Sequence, residues 1–523
     1  MSEAMRFMSK AACRRLIALT LAALVVAATG ASSALEHRTS AGTVVVAQGV
    51  DPDHMDPIAG GGQTVPSGNV LGHVFDTLVK RSPDGDFIPW LATSWKPIDD
   101  RSWEFRLRQG VKFHNGEPFD AQSVKFTFER IYDPRIRRPS MADDYSLLET
   151  VEIVDKYTVR LITKVPFPTM LANLAKRPPM VPPKYTRQSS NEHVAKFPVG
   201  TGPYRFVEWI PGTHVILEAN PEFWGKAPDI KRLVFRPIPE PGTRAAELIT
   251  GGVDVITDVT PDLVPVIKGS KTATIASTPS FRILYLYFTS TGDSDTGPLA
   301  DKRVRQAMYH AIDFKALTED LLQGFAEPVA TGVTPDEFGY DPNIAAYQYS
   351  PKRARELLIA AGYPNGFSLT MASPSGRYMN DREVAEAIVG MLGNVGIKVT
   401  LNFKEWGVMS AERISRTIKE GMFLLGSGNT IRDADFRFYG QLHGSSPLSY
   451  FHHQEFDRLI DRARSITDQA ERQKLYSQAL RILQDEVPWI PLYRSMALYG
   501  ISNRLDWAGS ADEEVWLYPE RLR

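Results

Sequence analysis

The sequence predicts a multi-domain α/β protein, and three observations support this fold class. At 523 residues the chain is too long for one hydrophobic core, and roughly 150 residues per domain suggests two to four domains. Short strand patterns dominate the first half of the chain, and apolar stripes at helical spacing dominate the region after residue 288. There, a helix ending at Gly396 passes directly into a strand from Ile397 to Leu401, which is typical of an α/β lobe.

Composition and charge describe an ordinary globular protein with 43% hydrophobic and 23% charged residues. The formal net charge is -1, whereas nucleic acids and anionic membranes call for a basic protein surface. We therefore expect no nucleic-acid partner. No short internal repeat is visible in the sequence, which argues against solenoid and propeller folds.

The N-terminus has the features of a cleaved export signal. Several basic residues precede an apolar run from Leu16 to Ala28, and the small residues Ser32 and Ala34 fit a cleavage site. The apolar run is too short for a membrane-spanning helix. We expect a signal peptide over residues 1–34, a periplasmic location, and no direct membrane insertion of the mature chain.

The single cysteine, Cys13, lies before this apolar run, whereas a lipid-modified cysteine would follow it. The mature chain would therefore contain no disulfide, no thiol nucleophile and no cysteine-bound metal.

The most distinctive stretch runs from Trp90 to Arg130. Trp103, Phe105 and Leu107 alternate with charged residues, and this period of two predicts a strand with one buried face. Two glycine-containing turns follow, and Asp120 is then placed to cap a helix with an apolar side.

The order of aromatic residues and glycines in this stretch resembles the family-5 extracellular solute-binding proteins of the peptide/nickel type. In that family the run reads Leu-Ala-x-Ser-Trp and then Trp-x-Phe-x-Leu-Arg-x-Gly-Val-x-Phe-His-x-Gly. Nearly every position is met at Leu91 to Trp95 and at Trp103 to Gly116. Two further family motifs, Gly-Thr-Gly-Pro-Tyr and Asn-Pro-Glu-Phe-Trp, end here at Tyr204 and Trp224.

The resemblance implies a two-lobed periplasmic binding protein of the type II-like α/β class, with crossover strands between the lobes and an extra subdomain inserted in the first lobe. After the signal peptide, the expected segments are the start of the first lobe (35–72), the inserted subdomain (73–197), the second segment of the first lobe (198–280), the second lobe (281–496) and the C-terminal segment of the first lobe (497–523).

The resemblance also implies a function. A small-molecule or short-peptide ligand would be captured between the lobes and delivered to an ABC permease that works with its ATPase subunits. We predict short peptides or peptide-like solutes as ligands, a monomeric protein and no cofactor. The alternative binder takes another polar solute, such as an opine, a sugar conjugate or a metal chelate.

The alternative from another functional class is an enzyme, namely a secreted hydrolase. Such an enzyme would need a recognisable catalytic motif. The sequence contains no Gly-x-Ser-x-Gly elbow, no His-Glu-x-x-His pair and no phosphate-binding Walker motif. His443, His452 and His453 have no recognised metal-ligand spacing, and the two adjacent histidines would point apart on a strand. We expect no catalytic residues and no metal site, which disfavours nickel as the ligand.

Ligand contacts are predicted first in the segment from Leu425 to Phe436. Peptide-binding members of the family carry here an aspartate that pairs with the ligand's α-ammonium group, but Gly428 or Asn429 occupies that position. Asp433 and Asp435 keep the later acidic pattern. Asp433 could take the ammonium role, or Asn429 could bond a neutral polar group. Alternatively, these acids form surface ion pairs with neighbouring arginines.

A second group of predicted contacts follows two strands of the second lobe. Arg377, in the loop Ser373 to Tyr378, offers a planar fork for a carboxylate or phosphate. Tyr378 offers a stacking face. Trp406 follows the next strand and either lines the ligand site or belongs to the core.

Overall fold

The structure is a computed structural model that describes residues 42–52, 54–58, 64–82, 85–136, 139–289, 291, 297–429 and 431–523. The predicted signal peptide lies outside these residues. Every helix in these ranges is too short or too polar to span a lipid bilayer.

The elements before residue 270 form the first lobe and its insert. In chain order they are β1 (Thr43–Gln48), α1 (Val65–Val74), β2 (Val79–Arg81), β3 (Phe87–Pro89), β4 (Ala92–Asp99), β5 (Ser102–Leu107), α2 (Ala121–Ile131), α3 (Pro139–Asp144), β6 (Leu148–Asp155), β7 (Thr158–Thr163), α4 (Met170–Lys176), α5 (Pro183–Gln188), α6 (Asn191–Val194), β8 (Tyr204–Ile210), β9 (His214–Ala219), β10 (Arg232–Pro237), α7 (Pro241–Thr250), β11 (Val255–Ile256) and α8 (Leu263–Lys268).

The remaining elements cross into the second lobe and return from it. They are β12 (Ala273–Phe288), a 3₁₀ turn (Pro298–Ala300), α9 (Lys302–Ala311), a π-helical turn (Ala316–Leu321), β13 (Ala326–Glu327), α10 (Pro351–Ala360), β14 (Phe367–Pro374), α11 (Asp381–Gly393), β15 (Ile397–Lys404), α12 (Trp406–Ile414), β16 (Met422–Ser427), α13 (Asp435–Arg437), a second π-helical turn (Phe438–Leu442), α14 (Gln454–Arg464), α15 (Gln469–Glu486), β17 (Trp489–Ser502), β18 (Leu505–Asp506) and β19 (Arg521–Leu522).

One mixed sheet of 11 strands runs through both lobes in the order β15-β14-β16-β12-β17-β11-β1-β10-β9-β8, with β13 beside β17. In the first lobe β1 is parallel to β10 and β11, and in the second lobe β14 is parallel to β15 and β16. The other pairs in this sheet are antiparallel. The predicted two-lobed α/β architecture with crossover strands is confirmed.

The crossover consists of two long antiparallel strands. β12 pairs with β17 from Ala273 opposite Ser502 to Tyr287 opposite Trp489. Its C-terminal half also pairs with β16 of the second lobe, while the C-terminal half of β17 pairs with β11 of the first. The register shifts between Pro279 and Ile283, beside the predicted boundary between the lobes. The division of the whole chain into six segments stays a prediction.

The stretch from Trp90 to Arg130 folds as its pattern predicts. β5 lies in an antiparallel sheet of four strands, β4-β5-β7-β6, with Phe105 fully buried. The Asp120 carboxylate accepts the backbone N–H of Gln122 at 2.9 Å and caps α2. The predicted strand and helix cap are confirmed.

The Gly-Thr-Gly-Pro-Tyr motif allows two backbone segments to approach closely. A Cβ on Gly200 would lie 2.0 Å from the carbonyl oxygen of Val74, and a Cβ on Gly202 would lie 2.5 Å from that of His73. No side chain larger than hydrogen fits at either position. Thr201 between them donates to the buried carboxylate of Asp76 at 2.8 Å.

The Asp76 carboxylate joins three separate segments of the chain, at Thr201, Trp90 and Trp224. Besides Thr201, the indole N–H groups of Trp90 and Trp224 donate to it, at 2.6 and 3.1 Å. Burial raises the pKa of Asp76, and the charge of Lys80 and these three hydrogen bonds oppose that rise. Two aromatic residues of the family motifs, Trp90 and Trp224, are therefore joined through one carboxylate.

His73 ties α1 to the C-terminal segment. Its Nδ1–H donates to the carbonyl oxygen of Asn69 at 2.8 Å, and its Nε2 accepts the backbone N–H of Leu517 at 2.9 Å. The ring is fully buried and neutral, and this burial lowers the pKa of His73 to about 3.

We predict that His73 makes folding sensitive to mild acid. Below an ordinary histidine pKa of about 6.5, His73 is protonated in the unfolded chain but stays neutral in the folded chain. The free energy of unfolding therefore falls as pH decreases. Between pH 7 and pH 5 this loss should be about 2 kcal/mol in urea unfolding. His73→Gln should remove that part of the pH dependence, whereas His452→Gln, at an exposed histidine, should not. Equal pH dependence in all three proteins would contradict this prediction.

A fully buried ion pair lies where the crossover strands enter the second lobe. Arg437 Nη1 contacts both carboxylate oxygens of Glu337, at 2.8 and 2.6 Å, and neither side chain is exposed. Arg437 Nη2 also donates to the carbonyl oxygens of Phe281 and Ser427, at 2.6 and 3.2 Å. Although burial opposes it, Glu337 raises the pKa of Arg437, so the pair stays charged. It connects β12, β16 and the loop between β13 and α10.

We expect Glu337→Gln to destabilise the protein by about 3–5 kcal/mol, because it leaves the buried Arg437 cation without its carboxylate. The matched control is Glu356→Gln, which breaks the exposed ion pair with Arg353 and should cost less than about 1 kcal/mol. Urea unfolding of both variants gives the comparison. If E337Q lowers the free energy of unfolding no more than E356Q does, the buried pair is not important for stability.

Candidate functional site

The carboxyl ends of the parallel strands in the two lobes form two facing edges. β14, β15 and β16 end at Pro374, Lys404 and Ser427, and β1 and β10 end at Gln48 and Pro237. In open α/β sheets, ligands bind in the crevice outside such strand ends. A ligand-binding site is therefore expected at these edges.

The loops that follow these strands contact each other across the two lobes. A Cβ on Gly49, after β1, would lie 2.8 Å from the carbonyl oxygen of Gly376, after β14. A Cβ on Gly376 would lie 3.8 Å from the carbonyl oxygen of Pro239, after β10. The structure therefore has its lobes closed on one another.

A small cavity remains beside the crossover strands. Its volume is about 30 Å³, which is room for about one water molecule. Its walls come from the end of β11, from β12 and β17, from the loop after β14 and from the C-terminal segment: Thr257, Asp258, Val259, Arg282, Tyr378, Met379, Ser495, Met496, Ala497, Leu498, Tyr499 and Glu513.

Three of the predicted contact residues form one cluster at this edge. The Arg377 guanidinium lies 4.9 Å from the ring centre of Tyr378 and 5.2 Å from that of Trp406. The two rings meet edge to face, with centroids 6.0 Å apart. The Tyr378 hydroxyl donates to the carbonyl oxygen of Gly426 at 3.3 Å, so the cluster also contacts β16.

Arg377 is only 6% exposed, and its Nε atom has no hydrogen-bond partner. No ion pair joins its guanidinium to a carboxylate in the described ranges. The Nε1 atom of Trp406 is likewise buried without a partner. Buried polar groups are normally hydrogen-bonded, so these two donors lack the partners that burial usually requires.

Asp381, at the start of α11, holds the loop that carries Arg377. Its carboxylate accepts the backbone N–H groups of Gly376, Arg377 and Tyr378, at 2.9, 2.8 and 3.0 Å. Burial raises the pKa of Asp381, and these three hydrogen bonds oppose that rise. Sequence reasoning missed this residue, although an acidic residue in the first turn of a helix after a glycine-containing loop was an available signal.

Asp433 lies in a second cluster, where it already has a partner. Its carboxylate is 2.9 Å from Nη2 of Arg472 and accepts the Tyr476 hydroxyl at 3.0 Å. Burial lowers the pKa of Arg472, but Tyr476 and Asp433 outweigh it and raise that pKa above its usual range. The ligand-binding role of Asp433 stays a prediction, and the ion pair with Arg472 would compete with it.

Asp435 and Asn429 flank Asp433. Asp435 forms an ion pair with Arg464 at 3.0 Å, and burial raises the pKa of this carboxyl group. Asn429 is buried, and its Nδ2 donates to the carbonyl oxygen of Asp433 at 2.9 Å. The expected alternative of ion pairs at these acids is present, but the pairs are buried and their arginines come from the distant helices α14 and α15.

Arg282 lies between the two clusters and was not predicted. Its guanidinium bonds the carboxylate of Glu513 in the C-terminal segment and donates to the carbonyl oxygen of Gly426 at 3.2 Å. It also lies 5.4 Å from the ring centre of Tyr378. Glu513 raises the pKa of Arg282 against the effect of burial. No sequence pattern marked either residue, because Arg282 interrupts an apolar strand and Glu513 follows no period.

The adjacent histidines His452 and His453 lie in the loop before α14. His453 precedes α14, and its Nδ1 accepts the backbone N–H of Phe456 at 3.1 Å as a helix cap. Across the described ranges, no group of three or more His, Cys, Asp or Glu residues could hold a metal ion.

Comparisons with known proteins identify relatives over most of the chain. The profile of the family described as "Bacterial extracellular solute-binding proteins, family 5 Middle" matches residues 86–447. Heme-binding protein A of Haemophilus influenzae is 29% identical over 463 residues, covering 83% of each chain. A glutathione-binding protein of Pectobacterium atrosepticum is 30% identical over 420 residues, covering 78% of this chain and 80% of its own.

A solved structure of similar fold is an ABC transporter-associated periplasmic binding protein of Helicobacter pylori in complex with the peptide STSA. It superimposes with a TM-score of 0.83 at 27% sequence identity, covering 92% of this chain and 98% of its own.

We predict that Asp381→Ala frees the loop that carries Arg377. Loss of three hydrogen bonds worth about 1 kcal/mol each should speed amide exchange at residues 376–378 by about 10–100-fold. Hydrogen–deuterium exchange checks this, with Asp120→Ala in the insert as a cap variant that should leave these amides unchanged. Unchanged protection in D381A would mean that packing, rather than Asp381, orders the loop.

Proposed function

The chain belongs to family 5 of the bacterial extracellular solute-binding proteins, and from this premise we propose that it carries short peptides or peptide-like solutes to the permease of an ABC importer. The family is one of binding proteins, so we expect the solute to be released unchanged. After removal of the predicted signal peptide, the mature protein would work as a monomer in the periplasm.

The observation that carries this proposal is the state of Arg377. A guanidinium withdrawn from water without a carboxylate partner is energetically costly, and protein ion pairs normally offset that cost. Its position between Tyr378 and Trp406 leaves the planar fork for an incoming anion. The carboxylate of a peptide or peptide-like solute has the matching geometry.

Closure of the lobes supplies the transport signal. A solute that contacts both facing edges binds the closed form more tightly than the open form and shifts the population toward closure. A micromolar dissociation constant corresponds to about 8 kcal/mol, which is ample to bias a hinge that costs a few kcal/mol. The permease would then read the closed shape.

A second candidate ligand is a polar solute without a free α-ammonium group, such as an opine or another conjugate. The pairing of Asp433 with Arg472 and Tyr476 favours this candidate, because the predicted ammonium partner already has a cation. The Oδ1 atom of Asn429, which has no hydrogen-bond partner, would then accept a hydrogen bond from a neutral polar group of the solute.

We predict that Arg377→Gln weakens binding by about 10–100-fold, since a hydrogen-bonded charge contributes about 1.5–3 kcal/mol. Calorimetry with a dipeptide and tripeptide panel gives the measurement, and the exposed Arg353→Gln is the matched control. Equal affinity of R377Q and wild type for whichever solute binds would remove Arg377 from the site.

Asp433→Asn separates the two candidate ligands. If Asp433 meets the α-ammonium group, this variant should bind free peptides about 10-fold more weakly and N-acetylated peptides unchanged. Circular dichroism confirms that the variant is folded, since it also disturbs Arg472. Unchanged affinity for free peptides would exclude the ammonium role and leave the second candidate.

A further inference from the structure

A second cationic position lies across the closed lobes, formed by Arg81 of β2 and Arg432 after β16. Arg81 Nη1 donates to the carbonyl oxygen of Gly85 at 3.1 Å, and its Nη2 donates to that of Ile431 at 3.2 Å. Arg432 Nη1 lies 2.9 Å from the place where a Cβ on Gly85 would stand. The two guanidiniums, one from each lobe, therefore meet at the same glycine.

In the described ranges, no carboxylate lies within ion-pair distance of Arg81 or Arg432, and the Arg432 guanidinium makes no hydrogen bond. Its Nε atom is buried without a partner. Arg432 instead stacks at 4.5 Å over the Phe281 ring. Its backbone is held in the left-handed region with φ +56, which is uncommon for a residue with a side chain.

The neighbouring acids do not neutralise this position. Asp512 is electrostatically close to both arginines, but its carboxylate forms no ion pair with either, and its Oδ1 has no hydrogen-bond partner. Glu514 pairs with Lys176, and Asp433 pairs with Arg472. Among the described residues, one unpaired carboxylate beside two guanidiniums leaves a net positive charge of one.

Closing the lobes brings these two like charges together. Burial and the neighbouring Arg432 both lower the pKa of Arg81, which reflects this unfavourable approach. An anion held between the two guanidiniums would replace repulsion across the lobes with two attractions. Such an anion would favour the closed form specifically, because only closure brings Arg81 and Arg432 together.

A chain of contacts links Arg377 to the second cationic position. Arg282 and Arg377 both stack on the Tyr378 ring. Phe281, the residue before Arg282, carries the guanidinium of Arg432 on its ring. The ion pair of Arg282 with Glu513 therefore lies between two arginine positions that lack anions.

We propose that the transported solute carries two acidic groups, one bound by Arg377 and the other held between Arg81 and Arg432 across the two lobes. This inference rests on the proposed function and narrows its ligand class to diacidic peptides or peptide-like solutes. The second acidic group is the one that couples binding to closure.

The test compares solutes that differ by a single charge. Ala-Glu and Ala-Gln, and the longer pair Ala-Ala-Glu and Ala-Ala-Gln, are titrated by calorimetry into wild type, Arg81→Gln/Arg432→Gln and Arg377→Gln. Wild type should prefer the acid of a pair by at least about 10-fold, the value of one charged hydrogen-bonded contact. R81Q/R432Q should lose this preference, whereas R377Q should weaken binding of the acid and of the amide alike.

The control is a second double variant, Arg353→Gln/Arg458→Gln, at exposed arginines. It should match wild type.

A second measurement does not depend on the choice of peptide. Native mass spectrometry identifies the solute that co-purifies with wild type, and methyl esterification counts its carboxylates. We expect at least two acidic groups, and we expect R81Q/R432Q to lose this solute. Fluorescence energy transfer between labels on cysteines introduced in the two lobes reports closure. Without ligand, R81Q/R432Q should be more closed than wild type.

The outcomes separate this inference from the proposed function. A co-purified solute with only one acidic group, equal affinity of wild type for the acid and the amide of each pair, or an acid preference that persists in R81Q/R432Q would overturn the inference and leave the binding function intact. Wild-type protein that neither binds a peptide nor carries a solute would overturn the proposed function, and the inference would fall with it.

Discussion

The antiparallel pairing of β12 with β17 is the constraint on which the rest of the molecule depends. Both strands pass through both lobes, so their pairing joins the two halves of the large sheet. The register shift between Pro279 and Ile283 interrupts the pairing where the chain leaves the first lobe. Arg437 and Arg282 bond backbone or side-chain groups beside this interruption, which places buried cations next to the hinge.

The arginines of the second lobe fall into two classes. Arg437, Arg472 and Arg464 have carboxylate partners in their own lobe, so they stabilise the second lobe whether or not a solute is present. Arg377 and Arg432 lack such partners in the part of the chain that the structure describes. A protein that keeps unpaired buried charges gives up stability, and binding sites are where such costs are expected.

Periodicity and capping chemistry were sufficient to predict much of the fold. The alternation around Phe105, the cap at Asp120 and the strand that begins at Ile397 all depend on neighbours within a few residues, and each is present as predicted. For the site, the sequence identified Arg377, Tyr378 and Trp406 separately, because each follows a strand. It contained no signal that the three side chains would stack together.

The sequence by itself determined the class of fold, the strand ends that form the site and the residue types available there. Only the tertiary structure decided which charges are neutralised. Asp433 meets Arg472, a residue 39 positions away, and Arg81 reaches the backbone of Ile431, 350 positions away. The reason is physical: local structure follows from short-range sterics and hydrogen bonds, whereas burial and charge pairing depend on distances through space that no spacing along the chain encodes.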